Sequence, residues 1–194
     1  MLKRDITPFI PEDVLGKPKA RNRSVTRTVR LDEEVDQMFQ EMSDRDRVSA
    51  NHLINRALRR YAEWEVAAER FGFVTIGGSV LGELFNSLTM EQARKLGREG
   101  GATSWMEFIS FYFKKLDYDT LLKSMELLSH RYGRMFTLET KTEGKNTILI
   151  MKHNIGPKRS AYIAEAIRTI FTKFGIKPDI TESEDQVTVR VTQA

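Results

Sequence analysis

Thr26, Thr28 and Arg30 stand at alternate positions of the stretch Ser24-Val25-Thr26-Arg27-Thr28-Val29-Arg30-Leu31. In an extended chain that spacing puts all three on one flank and Val25, Val29 and Leu31 on the other. Two hydroxyls and a guanidinium in a row can hydrogen-bond to polar edges. An arginine fork matches the two acceptors of guanine, and threonine serves several bases. Arg27 alone interrupts the apolar flank. A lone strand leaves both its edges unpaired, so this one needs a partner, most simply its copy in a second chain.

Two other groupings mark helix starts. Ser49-Ala50-Asn51 opens one, with Ser49 as its capping residue. His153-Asn154-Ile155-Gly156-Pro157-Lys158-Arg159-Ser160 joins a sharp turn, two cations and a second helix start. Lys158, Arg159 and Ser160 are therefore a possible anion site, against the plainer reading of a helix start with solvated charges. The chain has no Walker motif, and no nucleophile–base pair or paired carboxylates stand at diagnostic spacing, so no catalytic residue is nominated and no enzyme is expected.

The elements that must position these groups are legible in the periodicity. Asp32 reads as the cap of a first helix, with Glu33 and Glu34 at the positive end of its dipole and Val35, Met38, Phe39 and Met42 as its apolar stripe. After the polar turn Ser43–Arg47, Ser49 caps a second helix. Leu53, Ile54, Ala57, Leu58 and Tyr61 form its apolar face, and it runs through Trp64 to about Arg70. Residues 1–23 mix three prolines with basic residues and read as a flexible basic arm. Residues 24–71 form one module and residues 72–194 another.

The second module reads as α+β. Phe73–Ile76 is a short strand, Ser79 caps a short helix, and Thr89–Gln92 has capping-box spacing, with Gly100-Gly101 interrupting the helix that follows. An aromatic-rich helix spans about Thr103 to Phe113, and another Tyr118 to Arg134. Trp105, Phe108, Ile109 and Tyr112 form a stripe that reads as core, or less simply as a ligand pocket. Phe136–Lys141 and Asn146–Lys152 flank a turn as a hairpin, Gly156-Pro157 opens a helix to Phe174, and Gln186–Val191 is a last strand in the same antiparallel sheet.

Composition narrows the function classes. At 194 residues and 40% hydrophobic content the chain can build real cores, which argues against disorder. The net charge of +4 is modest, but Lys17, Lys19, Arg21, Arg23, Arg27 and Arg30 occur with no acid among them. Six cations in a row of that kind suit a polyanion, with a solvated tail as the bland alternative. Zero cysteines exclude disulfides and thiolate metal sites. His52, His130 and His153 are scattered, so no metal and no cofactor are expected. No run of about eighteen apolar residues exists and the N-terminus lacks a signal-peptide core, so the expectation is a cytoplasmic protein with no membrane contact.

One strand, two helices and a Ser-x-Asn start on the second resemble the ribbon-helix-helix superfamily, the group of the Arc and MetJ repressors. The resemblance covers Val25 to Tyr61. It implies that two strands pair between subunits and enter the major groove of double-stranded DNA, with Thr26, Thr28 and Arg30 on the bases. It implies phosphate contacts from Ser49, Ala50 and Asn51, beside which the arm would add Arg21 and Arg23. It also implies a shared dimer core of Val29, Leu31, Val35, Phe39, Leu53, Ile54 and Leu58. The chain departs from the pattern at Arg47-Val48, where the family usually has glycine before the serine, and at Arg27, which is commonly apolar.

The expected fold is thus an amino-terminal ribbon-helix-helix followed by an α+β oligomerisation or effector domain. The expected function is a sequence-specific DNA-binding transcriptional repressor, a homodimer that assembles to a tetramer or higher, with an unidentified effector. An antitoxin that binds a partner toxin and its own operator, and a nucleoid-type DNA-coating protein, are the alternatives. An ordinary strand and helical hairpin packed on the rest of the chain is the plain reading.

Overall fold

The computed structural model describes residues 25–192 as mixed helix and sheet. The chain folds as two compact units, divided between Arg70 and Phe71.

The first unit is helical. Residues 25–32 belong to no helix or strand, and every one of them is exposed. Helix α1 spans Glu33–Asp46. Asp32 occupies its cap position, yet its side chain makes no capping hydrogen bond, so its contribution is charge at the dipole and not the expected cap. The helix ends at Arg47, whose φ of 54° and ψ of 41° are left-handed, a conformation that costs a non-glycine residue roughly 1 kcal/mol. Helix α2 spans Ala50–Arg60 and packs on α1. A single π-helical turn, Tyr61–Glu65, carries the chain into α3 at Val66–Phe71, so the expected continuous helix forms with one widened turn. Arg60 Nε donates to Glu65 Oε1 at 2.6 Å beside that turn.

The second unit stacks helices on a four-stranded antiparallel sheet. Helices α4 (Gly78–Ser87), α5 (Met90–Ala102), α6 (Ser104–Phe113) and α7 (Tyr118–Glu126) come first. The hairpin β1 (Thr137–Glu143) and β2 (Asn146–Lys152), then α8 (Pro157–Lys173), then β3 (Asp179–Glu182) and β4 (Gln186–Thr192) follow. The sheet order is β1-β2-β4-β3, so the parallel strands β2 and β3, joined through α8, are separated by β4. Register pairs Leu149 with Val189 and Met151 with Val187, and these four residues are all buried. α8 contributes Ile163, Ile167, Ile170 and Phe171, each at most 1% exposed.

Helix α8 packs chiefly on α5. A Cβ on Gly97 would overlap the Tyr162 carbonyl oxygen, and one on Gly101 would meet that of Ala166 at 2.5 Å. The expected break at Gly100-Gly101 is therefore wrong. The helix passes through both glycines because the close approach of α8 needs the missing side chains of Gly97 and Gly101. That packing outweighs the roughly 1 kcal/mol cost of a helical glycine. Arg94 of α5 reinforces the second unit through two 2.9 Å hydrogen bonds to the Glu182 carboxylate of β3.

The capping box at Thr89 forms in both directions, with Gln92 N–H donating to the Thr89 hydroxyl and Thr89 N–H to the Gln92 side chain. Three other expectations change. Phe73–Ile76 is not a strand: it stands outside the sheet with Val74 86% exposed, while the Phe73 ring meets Phe71 at a tilt and Phe108 edge-on. Gly77, not Ser79, caps α4. The helix begun at Tyr118 does not reach Arg134: a wide turn at Leu127–Arg131 breaks at Ser129, where ψ is −159°.

Candidate nucleic-acid interface

The nominated base-reading residues Thr26, Thr28 and Arg30 lie in the exposed segment before α1, and their odd-numbered neighbours are exposed as well. Val25 is 70% exposed and Val29 61%. Among the described residues nothing covers the apolar flank of this segment, which stays in water.

The expected Ser49 cap forms in the turn nominated for phosphate contact. Ser49 is the N-cap of α2, with φ −68° and ψ 145°, and its hydroxyl accepts from His52 N–H at 3.2 Å. Leu53 N–H donates to the Ser49 carbonyl. The first-turn N–H groups of Ala50 and Asn51 then point outward at the positive end of the helix dipole, as an anion requires. Asn51 accepts from the Asn55 amide through its side-chain oxygen at 3.2 Å. The turn before Ser49 is fixed by the Ser43 hydroxyl donating to the Val48 carbonyl at 2.5 Å. Arg47 holds there the left-handed backbone that glycine would adopt freely. Arg21 and Arg23 lie outside the described residues.

The nominated dimer core divides in two. Leu53 is buried, Phe39 and Ile54 are half-buried, and Val29, Leu31, Val35 and Leu58 are exposed. No residue of α1 is buried, although Val35, Met38, Phe39 and Met42 line one stripe of it.

In the second unit, Trp105, Phe108, Ile109 and Tyr112 are buried with Phe113 and form core, joined by ring contacts such as Phe108 to Tyr112 at 5.5 Å. Sequence spacing did not anticipate a second constellation. Ser160 Oγ lies 3.0 Å from His153 Nε2, and His153 Nδ1 lies 3.5 Å from Asp185 Oδ1, the order of a serine-hydrolase triad. Its protons are placed the other way round. Ile155 N–H donates to His153 Nδ1, which leaves the ring proton on Nε2 to donate to Ser160. Ser160 in turn donates to the Glu184 carbonyl. Burial and then the Arg159 charge push the His153 imidazole below its ordinary pKa, outweighing Asp185, so the ring is held neutral. Ser160 is 1% exposed. The group is a lock between the β2–α8 connection and the β3–β4 turn, completed by Gly156 N–H on Asp185 at 2.8 Å.

The three residues of the possible anion site at α8 have separate surroundings. Lys158 Nζ donates to the Asn86 carbonyl of α4 at 2.8 Å, Ser160 belongs to the lock, and Arg159 is 3% exposed. The expectation of solvated charges therefore fails for Arg159. Among the described residues no three His, Cys, Asp or Glu side chains gather to hold a metal ion, and no helix is long and apolar enough to cross a membrane. No model of a protein family and no curated protein matches the chain.

Proposed function

We propose that the chain is a homodimeric, sequence-specific DNA-binding regulator, acting as a repressor, whose residues 24–31 pair between subunits and enter the major groove. The observation that carries this reading is α1, an amphipathic helix with no buried residue, preceded by an alternating segment whose apolar side chains are all exposed. An exposed apolar surface of that kind marks an interaction site, and the alternation of the segment suits pairing with its own copy. Pairing would leave Thr26, Thr28 and Arg30 on one flank of a two-stranded ribbon, which the major groove admits. The Ser49 cap supports the same reading, because its free N–H groups suit a phosphate beside the groove. The second unit would serve assembly to a tetramer or the sensing of an effector.

Selection of bound duplexes from a random pool by the full chain tests this. The expected result is an enriched, two-fold symmetric motif. Arg30→Ala should weaken binding to that motif by about 1–3 kcal/mol and binding to random DNA much less. No enriched motif at any salt concentration, or equal losses on both DNAs, would refute base reading.

A further inference from the structure

Arg159 is the one basic side chain among the described residues whose burial has no counter-charge. It is 3% exposed, and its Nε and Nη2 atoms are buried without a hydrogen-bond partner. Its guanidinium carbon lies 4.9 Å from the ring centre of Phe85 on α4 and 5.0 Å from that of Tyr162 on α8. Burial lowers the guanidinium's pKa from its ordinary value, and no carboxylate acts against that.

Each ring contact is worth about 2 kcal/mol or more when desolvated, set against several for burying an ion. The contacts also supply no hydrogen-bond acceptor to Nε and Nη2, which stay unsatisfied. Nε and Nη2 lie on the same edge, and two parallel N–H groups there form the fork that accepts a carboxylate or phosphate in bidentate fashion. The surroundings favour an anion further. Arg159 sits in the first turn of a 17-residue helix, at the positive end of its dipole. Phe85 is the single buried residue of α4, so that helix leans on α8 through little apolar surface and can yield to an entering group.

We propose that the Nε/Nη2 edge of Arg159, beside the Phe85–Tyr162 ring pair, binds one small oxyanion, a phosphate or carboxylate group, and that this is the effector site of the second unit. The bound group supplies the acceptor oxygens that the edge lacks, and its entry moves α4 against α8.

Thermal unfolding of the full chain tests the site without DNA, so its failure is separable from failure of the DNA reading. Inorganic phosphate and acetate are titrated separately against chloride at matched ionic strength. The expected result is a rise in Tm with one or both anions, about 4 °C for each tenfold in free anion above its Kd. The anion that acts identifies the group. Arg159→Lys, which keeps the charge and loses the fork, and Arg159→Met should both lose the rise, and Arg159→Met should melt no lower than wild type in chloride. No rise with either anion, an equal rise in the variants, or a marked fall for Arg159→Met in chloride would each overturn the site. Should Arg159→Met fail to fold, that too counts against it, since ring stacking would then be the residue's role.

Discussion

Replacing Leu58 by alanine separates a surface residue from an interface residue. Leu58 is 59% exposed in the single chain, so its loss should change the stability of one subunit by no more than about 0.5 kcal/mol. If a second copy covers it, burial of the remaining side-chain surface contributes about 1.5 kcal/mol, taking roughly 2–3 kcal/mol for a fully buried leucine. A two-fold interface contains the residue twice, giving about 3 kcal/mol, or about a hundredfold in the dimer dissociation constant. Sedimentation equilibrium across a concentration series reads that constant, and denaturant unfolding at each concentration reads the subunit. Leu53→Ala is the internal contrast: at 3% exposure it should cost about 2–5 kcal/mol within the chain itself. An unchanged dissociation constant for Leu58→Ala, or a wild-type chain that stays monomeric at micromolar concentration, would refute the shared core.

Gly97→Ala should destabilise the second unit by about 1–3 kcal/mol, read by urea unfolding, because the new methyl overlaps the Tyr162 carbonyl and backbone must shift. Asp117→Asn tests a charge at a helix cap. The Lys115 ammonium and then the Thr120 N–H hold the Asp117 carboxyl at about 2, below its ordinary 3.8. A depressed carboxyl adds stability above its unfolded pKa and loses it as pH falls through the folded one. Wild type should therefore exceed Asp117→Asn by about 1 kcal/mol above pH 4, with the difference vanishing towards pH 2 in urea titrations. A constant difference across that window would refute the assignment.

Local chemistry was legible where the deciding contacts are local. The Thr89 and Gln92 capping box, the Ser49 cap, the β1–β2 hairpin and the alternating β4 all depend on residues within a few positions of one another. What escaped depends on distant partners. Gly100 and Gly101 look like a helix break until α8 is brought against α5, and Phe73–Ile76 looks like a strand until its place outside the sheet is seen. Asp179–Glu182 has one apolar residue in four, too little to announce β3, and it joins the sheet only through β4. The same limit holds for the candidate sites. Ser49, Ala50 and Asn51 were readable because an N-cap is local, whereas the burial of Arg159 reverses the usual habit of arginine and depends on Phe85, far away in sequence.

The placement of β4 between β2 and β3 constrains the order in which the second unit can be completed. On a ribosome, the β1–β2 hairpin and α8 emerge early, but β3 has nothing to bond to until residues 186–192 are free. Until that moment β2 shows an open edge bearing Ile148, Leu149, Ile150 and Met151, a sticky ladder for a neighbouring nascent chain. The final strand thus acts as a wedge that closes both gaps in a single step, and any cleavage that removes it leaves two unpaired ladders in place of one sheet.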